Sequence, residues 1–142
     1  MSRIKVQRQK RRALDFLADA KIDLSRGSYD IAIFNAEEAL QLYLEAVIFE
    51  LFGAEFRSHY VRALLSRLSQ LLKNNNFEEL SRRIDNISIE YRSLLISLED
   101  SYTEINGDMD YDELQAKESI DIVEKIINEL ENISSSVKLG KG

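Results

Sequence analysis

The chain has no cysteine and no proline, and its 142 residues include five glycines and a single histidine, His59. Without cysteine it can form no disulfide, no zinc–thiolate site and no thiol nucleophile. With one imidazole it cannot supply the paired Glu-x-x-His motifs of a carboxylate-bridged di-metal bundle. The missing prolines favour long, uninterrupted helices joined by short turns.

The sequence also lacks the apolar run of about 18 residues or more that a membrane helix needs. Its N-terminus is basic and polar and does not have the apolar core of a signal peptide. Neither a sustained period-two alternation nor an Asn-Gly hairpin between β-branched runs is present. These absences predict one all-α domain over residues 1–142, without a membrane span, and they are compatible with a cytoplasmic location.

The clearest pattern that is present lies between Tyr29 and Phe52, a stretch with no glycine and no turn cluster. Alanines and leucines recur there at steps of three and four, which is the spacing of a helix face. Apolar residues fill most of the circumference, so this helix is predicted to be central and covered by its neighbours. Only a strip of four polar side chains is predicted to face water: Glu37, Glu38, Gln41 and Glu45.

Apolar periodicity and turn residues predict a four- to five-helix up-and-down bundle around this central helix. Gly27 and Gly53 are placed at helix ends, where a left-handed backbone is favoured. Ser58 and Asp110 are predicted N-caps. The helices are expected over the ranges 5–25, 29–52, 59–73, 77–105 and 111–134, followed by a frayed tail over 135–142. Within the fourth range, residues 77–87 are either a short helix of their own or the first part of the longer one.

The net charge of −6 is unevenly distributed along the chain. The first twelve residues carry only basic charges, whereas residues 99–131 are strongly acidic. One interpretation is a solubilising N-terminal turn and a solvated acidic face, because charged runs mostly face solvent. The other interpretation is a polarity that steers nucleic acid to one end or docks two subunits.

No P-loop, dinucleotide-binding fingerprint, Gly-x-Ser-x-Gly or His-Glu-x-x-His sequence occurs. Glu37, Gln41 and Glu45 stack on one helix face as metal ligands do, but without imidazole partners they are predicted to be a solvated stripe. We therefore expect neither a metal nor another cofactor. His59 is either a general base or a structural residue at the start of a helix, and the absence of an identifiable nucleophile favours the structural role.

Basic and aromatic residues are interspersed in the middle of the chain. Arginines beside exposed aromatic rings can hold phosphates and stack bases. The same residues commonly form surface ion pairs, and the acidic net charge argues against a dedicated nucleic-acid binder. If a nucleotide or RNA phosphate binds, the expected site comprises Arg83, Arg92 and Tyr102, and no DNA specificity is expected.

Several segments suggest a family. Residues 16–20 read FLADA, residues 23–32 read DLSRGSYDIA, and residues 34–46 read FNAEEALQLYLEA. Together they resemble the opening pattern of the HEPN domain, the "higher eukaryotes and prokaryotes nucleotide-binding" family of small helical bundles. His59 with the following leucine pair, and the LEDSY segment over residues 98–102, resemble later parts of the same pattern. The resemblance covers about residues 10 to 133.

The resemblance implies a four- to five-helix bundle that usually dimerises. Many members are encoded beside a minimal nucleotidyltransferase in toxin–antitoxin-like pairs, some are metal-independent ribonucleases with an R-x(4–6)-H motif, and others bind nucleotides. This chain departs from the ribonuclease pattern, because Arg57 is only two positions before His59 and no histidine follows Arg92. Glu45 stands where the family frequently has lysine, and residues 105–107 replace an Arg-Tyr-Pro segment. The fold is therefore expected, and the usual ribonuclease activity is not.

Three functions remain open at this point. The first is a non-catalytic HEPN-like module that acts through homodimerisation and a protein partner, with a minimal nucleotidyltransferase as the candidate partner and nucleotide binding in addition. The second is a degenerate metal-independent ribonuclease or toxin. It would use Arg92 with Tyr102 or His59, because arginine can stabilise a phosphoryl transition state and the other two can move a proton. The third is a structural bundle whose acidic face docks a basic partner.

A homodimer is expected because the central helix has more apolar surface than one small bundle easily covers. The apolar part of such a contact predicts a dimer that persists at high salt. A two-fold contact would also bring opposite charges together, namely Arg8, Arg11 and Arg12 of one subunit and Asp108, Asp110 and Asp112 of the other.

Overall fold

The computed structural model describes residues 3–103 and 110–141, apart from the side chains of Tyr102 and Thr103. This part of the chain contains six helices and no strand, so the predicted all-α class is confirmed. None of the helices is both long and apolar enough to cross a membrane. The helices are α1 (Arg3–Ser25), α2 (Tyr29–Phe52), α3 (Val61–Asn74), α4 (Glu78–Glu90), α5 (Arg92–Thr103) and α6 (Glu113–Lys138).

Two glycines take the left-handed backbone where helices end. Gly27 has φ 76° in the turn between α1 and α2, and the next amide, that of Ser28, donates to the carbonyl of Asp23 at 2.9 Å. Gly53 has φ 66° after α2, and its amide donates to the carbonyl of Phe49 at 2.8 Å. An L side chain would be strained at either backbone conformation, which explains why glycine stands there.

Two predicted N-caps are displaced. Tyr60, and not Ser58, is the residue that precedes α3, and the Ser58 hydroxyl accepts from the Tyr60 amide at 3.0 Å. Asp112, and not Asp110, caps α6. Its carboxylate accepts from the Gln115 amide at 2.8 Å, while the Gln115 side chain accepts from the Asp112 amide at 2.9 Å. This reciprocal capping box satisfies two amides that the first turn leaves unpaired.

The single helix predicted over residues 77–105 is divided in two at Tyr91, which has φ −106° and ψ 20°. The physical reason lies in packing, because α4 lies against α3 while α5 lies against α2. The break at Tyr91 lets each half turn its apolar side toward its own partner helix. The predicted tail over 135–142 is also wrong in part, since α6 continues to Lys138 and the side chain of Val137 packs on the core.

Helix α2 is the centre of the bundle, and α1, α3, α5 and α6 all pack against it. The side chains that face its neighbours are covered, and Leu40, Leu44 and Ile48 are fully buried. Several other large apolar side chains of α2 are only partly buried, namely Phe34, Leu42, Phe49, Leu51 and Phe52, and Ile31 is 38% exposed. The neighbours within the same chain therefore cover most, but not all, of the apolar surface of α2 on which the expected dimer was based. Dimerisation itself stays a prediction.

Replacing Leu44 by alanine is expected to lower the free energy of unfolding by about 2–5 kcal/mol, because the site is fully buried and a cavity would remain. Phe34 on the same helix is only half-buried, so Phe34→Ala is expected to cost less. Chemical denaturation of both variants measures the difference. Equal losses would mean that Phe34 contributes to the core as fully as Leu44 does.

Candidate functional site

Arg83 lies on α4 and lines a groove of about 240 Å³ between α4 and α6. Its Nε donates to Glu129 Oε1 on α6 at 2.8 Å, and its Nη2 contacts the same oxygen. Ile87 and Ile126 give the groove a buried apolar floor, and Tyr91 lines it as well. A phosphate that approached Arg83 would compete with Glu129, so this arginine is already engaged in an ion pair.

Arg92 is the exposed first residue of α5 and is not among the residues that line the Arg83 groove. The division at Tyr91 places the two arginines on different helices. Tyr102 belongs to the last turn of α5, and its side chain lies outside the described part of the chain. The phosphate site predicted from Arg83, Arg92 and Tyr102 therefore stays a prediction.

His59 lines a second groove, of about 440 Å³, where α1, α2 and the connection before α3 meet. We call it the His59 groove. The imidazole Nδ1 lies 3.5 Å from Nε2 of Gln41 on α2, which is the outer limit of a hydrogen bond. Arg12 from α1 and Arg57 from the connection line the same groove. Two guanidinium groups and an imidazole thus border one cavity.

Carboxylates of α2 lie beside these cations. Burial raises the pKa of Glu38, and the nearby charge of His59 opposes that rise. Burial likewise raises the pKa of Glu45, against the Ser58 amide that donates to it at 3.4 Å and the charge of Arg57. The cations of the His59 groove therefore face acids of the same helix bundle, and they do not form a purely positive surface.

Glu37 is fully buried in the middle of α2. Neither of its carboxyl oxygens has a hydrogen-bond partner among the described residues, and Oε1 of Gln41, one turn later, lacks one too. Burial, with smaller contributions from the charges of Glu38 and Glu99, raises the pKa of Glu37 to about 9. A protonated Glu37 can donate to the Gln41 oxygen four residues on. The predicted solvated strip is thus wrong for Glu37 and Gln41.

Helix α5 packs on α2 and explains part of this burial. Its Leu95 and Leu98 are fully buried, and Glu99 is only 5% exposed. The Glu99 carboxylate accepts from the backbone amide of Arg62 at 3.1 Å and from the guanidinium Nη2 at 2.8 Å, which joins α5 to the start of α3. Arg62 therefore compensates Glu99, and no cation is placed to compensate Glu37 among the described residues.

A second buried polar group, which we call the Lys10 cluster, joins α1, α2 and α6. Lys10 is 7% exposed, and its Nζ lies 2.8 Å from Glu50 and 2.7 Å from Glu131. The same ammonium lies 5.6 Å from the centre of the Tyr43 ring, whose hydroxyl donates to Glu131 at 2.5 Å. Burial by itself would raise the pKa of Glu50 and of Glu131, yet hydrogen bonds from Lys10 hold both pKa values below the usual range.

Sequence reasoning placed Lys10 among the solvated basic residues of the N-terminus. Its position relative to Val6, Ala13 and Leu17 was the missed signal, because steps of four, three and seven place all four on one helix face. The three apolar residues are buried. A lysine inside an apolar helix row indicates an acidic partner on a facing helix, since lysine is rarely buried unpaired.

Within residues 3–103 and 110–141, no group of three or more histidine, aspartate and glutamate side chains is arranged to hold a metal ion. The arginines and imidazole of the His59 groove are groups that can contact a phosphate and move a proton. The Lys10 cluster is built differently, because its charges satisfy one another inside the bundle. Of the two, the His59 groove is the candidate site for a ligand.

The model of the HEPN domain matches residues 6–133, from Val6 in α1 to Ile133 in α6. The match includes the His59 groove, the Arg83 groove and the Lys10 cluster. No curated protein and no solved structure matches the chain. The resemblance carried by the first two helices is confirmed by this match over most of the sequence, and the chain belongs to the HEPN domain family.

Proposed function

We propose that this chain is a non-catalytic helical module that acts as a homodimer and through a protein partner. The observation that supports the absence of catalysis is the charge balance of the His59 groove. Its imidazole contacts the Gln41 amide, and Glu38 and Glu45 lie near its cations. Acid–base catalysis on a phosphodiester needs a base placed on a nucleophile and a cation available for the developing charge. In this groove the charges of Glu38 and Glu45 offset those of His59 and Arg57, so these cations are less available for a developing phosphate charge.

The protein partner is proposed to have a basic surface that docks on the exposed acids of α6. Glu113, Glu118 and Asp121 are exposed along the first half of that helix. Opposite charge across an interface speeds association and excludes like-charged partners, which supports this assignment. The family resemblance makes a minimal nucleotidyltransferase, in a toxin–antitoxin-like pair, the candidate for this partner.

A degenerate ribonuclease is the second candidate, and one observation favours it. Arg12, Arg57 and His59 line a single cavity of about 440 Å³, large enough for a nucleotide-sized ligand. In that arrangement Arg57, and not Arg92, which does not line the groove, would contact phosphate while His59 moves the proton. Of the His59 groove and the Arg83 groove, the His59 groove is also the better candidate for binding a nucleotide without catalysis, because Arg83 is paired with Glu129.

Incubation of the purified protein with mixed single-stranded and structured RNA separates the two candidates. We expect the wild-type protein to cleave RNA no faster than the His59→Ala variant, because Gln41 contacts the imidazole and the charges of Glu38 and Glu45 offset those of His59 and Arg57. Arg92→Ala serves as the control, since Arg92 lies on another helix and does not line the groove. Cleavage that is lost in His59→Ala and kept in Arg92→Ala would overturn the non-catalytic proposal in favour of the ribonuclease.

A further inference from the structure

Helix α1 exposes apolar residues on the side that faces away from the core. Ile4 is 70%, Leu14 47% and Ile22 48% exposed, and Ala18 is exposed as well. Because an α-helix turns by about 100° per residue, Ile4 and Ile22 point in the same direction and the other two lie within about 80° of it. These four residues, with the charged residues between them, form what we call the outer face of α1.

The outer face is divided into a basic and an acidic half. Arg8 and Arg11 stand in the first half and Asp15 and Asp19 in the second, all four exposed. None of them forms an ion pair with a described residue. Like charges three or four residues apart repel, as Arg8 and Arg11 do, and as Asp15 and Asp19 do. Arg11 and Asp15, four residues apart, can attract each other within the helix, but neither Arg8 nor Asp19 has an opposite charge three or four residues away.

The two terminal turns of α1 are also unfavourable for its helix dipole. The first turn of the helix contains no acid and the last turn contains no base. Acids near the N-terminus and bases near the C-terminus are the stabilising arrangement, at about 0.3–1 kcal/mol each. A second surface that offers acids to the first half and bases to the second would relieve both costs.

We infer that the outer face of α1 pairs with the outer face of α1 in a second copy of the chain, with the two helices antiparallel. An antiparallel pair places Ile4 on the partner's Ile22, Arg11 on the partner's Asp15, and Arg8 on the partner's Asp19. The midpoint of each pair falls at Ala13 or between Ala13 and Leu14. One two-fold axis therefore satisfies all of them, and the two Leu14 side chains meet beside it. This inference rests on the proposed homodimer, for which it names the interface.

The direction of α6 is consistent with the same arrangement. Lys10 contacts Glu131 and Lys21 contacts Glu124, so α6 runs antiparallel to α1 and begins near the end of the bundle where α1 ends. The exposed Asp112 at the start of α6 lies toward the acidic half of α1. An antiparallel second copy would bring its basic half toward that end.

The charge order favours a second copy over an unrelated partner. A uniformly basic protein would match only the aspartate half of the face, and a uniformly acidic one only the arginine half. A two-fold axis repeats and reverses the same surface, so each half meets its complement. The apolar part of this α1 interface is small, so salt is expected to weaken the dimer by screening its charge pairs. A dimer held together by the apolar surface of α2 would not be weakened in this way.

Sedimentation velocity at micromolar concentration and low salt tests the inference. The wild-type chain is expected at twice its mass of 16.4 kDa. Arg8→Asp and Asp19→Arg are each expected to weaken the dimer by at least about tenfold, because two attractive pairs per dimer become repulsive. An equal mixture of the two variants is expected to regain the dimer, since every reversed charge then meets an opposite one. Lys117→Asp, on the exposed side of α6, is the matched control and should leave the dimer intact.

The outcomes separate the inference from the function it rests on. A wild-type monomer under these conditions would overturn both the homodimer and its interface. A wild-type dimer that both charge reversals leave unchanged, or a mixture that does not regain it, would overturn the α1 interface alone. Ile22→Ser leaves the charge unchanged and should also weaken the dimer. Circular dichroism of each variant verifies that the exposed substitutions have not unfolded the bundle.

Discussion

Glu37→Gln is expected to raise the free energy of unfolding at neutral and alkaline pH by a few kcal/mol. In the unfolded chain a glutamate ionises near 4.5, whereas burial raises the pKa of Glu37 in the folded protein to about 9. Between these two values the folded state keeps a proton that the unfolded state has lost. Stability must therefore fall as pH rises from 4.5 to 9, by up to about 1.4 kcal/mol per pH unit. The amide of glutamine carries no such cost.

Denaturant unfolding at pH 5 and pH 8.5 measures this effect. The wild-type protein should lose stability between the two values, and Glu37→Gln should lose much less. Burial also raises the pKa of Glu38 and of Glu45, but those contributions are common to both proteins and cancel in the comparison. Glu118→Gln, at an exposed position of α6, should keep the wild-type slope. Parallel slopes for wild type and Glu37→Gln would show that the Glu37 carboxylate is hydrated or paired.

The second large effect is expected from Lys10→Met, which should lower the free energy of unfolding by about 3–5 kcal/mol at pH 7. Methionine fills the space of the lysine stem but removes the buried cation of Glu50, whose side chain is 12% exposed. Glu50 then keeps only the Ser134 hydroxyl at 3.0 Å and the half-exposed Lys138 at 3.3 Å. Lys10 holds the pKa of Glu50 and of Glu131 in the folded protein below the pKa of a glutamate in the unfolded chain. The contribution of Lys10 to stability is therefore complete above the unfolded-state pKa and disappears as the pH falls through the lowered, folded-state pKa values. The loss in the variant should therefore shrink in acid.

Lys21→Met is the matched control for Lys10→Met. Lys21 also pairs with a glutamate of α6, Glu124, but both side chains are about half exposed, at 51% and 45%. Exposed pairs contribute about 0–1 kcal/mol, so this variant should be nearly as stable as the wild type. Adding Glu50→Gln to Lys10→Met should recover part of the loss, because the stranded charge is removed. Equal, small losses for the two lysines would mean that water reaches Lys10.

The sequence predicts the helices well where the information is local. Three-and-four periodicity identifies α2, and Gly27 and Gly53 mark backbone conformations that other residues avoid. The division at Tyr91 carries no such mark, because neither glycine nor proline stands near it. It arises from α4 and α5 packing on different helices, which only the assembled bundle specifies.

The candidate site shows the same limit. His59 and Arg57 are close in sequence, but Arg12 reaches the His59 groove from α1, through the packing of the α1–α2 pair. The burial of Glu37 also depends on packing between helices. The helix pattern identifies a polar strip on α2, but it does not indicate which neighbouring helix covers that strip. Lys10 is the one missed residue whose sequence pattern was sufficient, since it interrupts a row of buried apolar residues.

The Lys10 cluster also bears on the order in which the bundle is completed. Lys10 and Glu50 are 40 residues apart and can meet within the α1–α2 pair, whereas Lys10 and Glu131 are separated by 121 residues. Closing the longer loop costs more chain entropy and requires α6, which follows the other five described helices in the chain. Until α6 docks, the lysine has one of its two carboxylates and a side of α2 remains uncovered. The time that α6 takes to dock therefore sets how long this side of α2 stays exposed during folding.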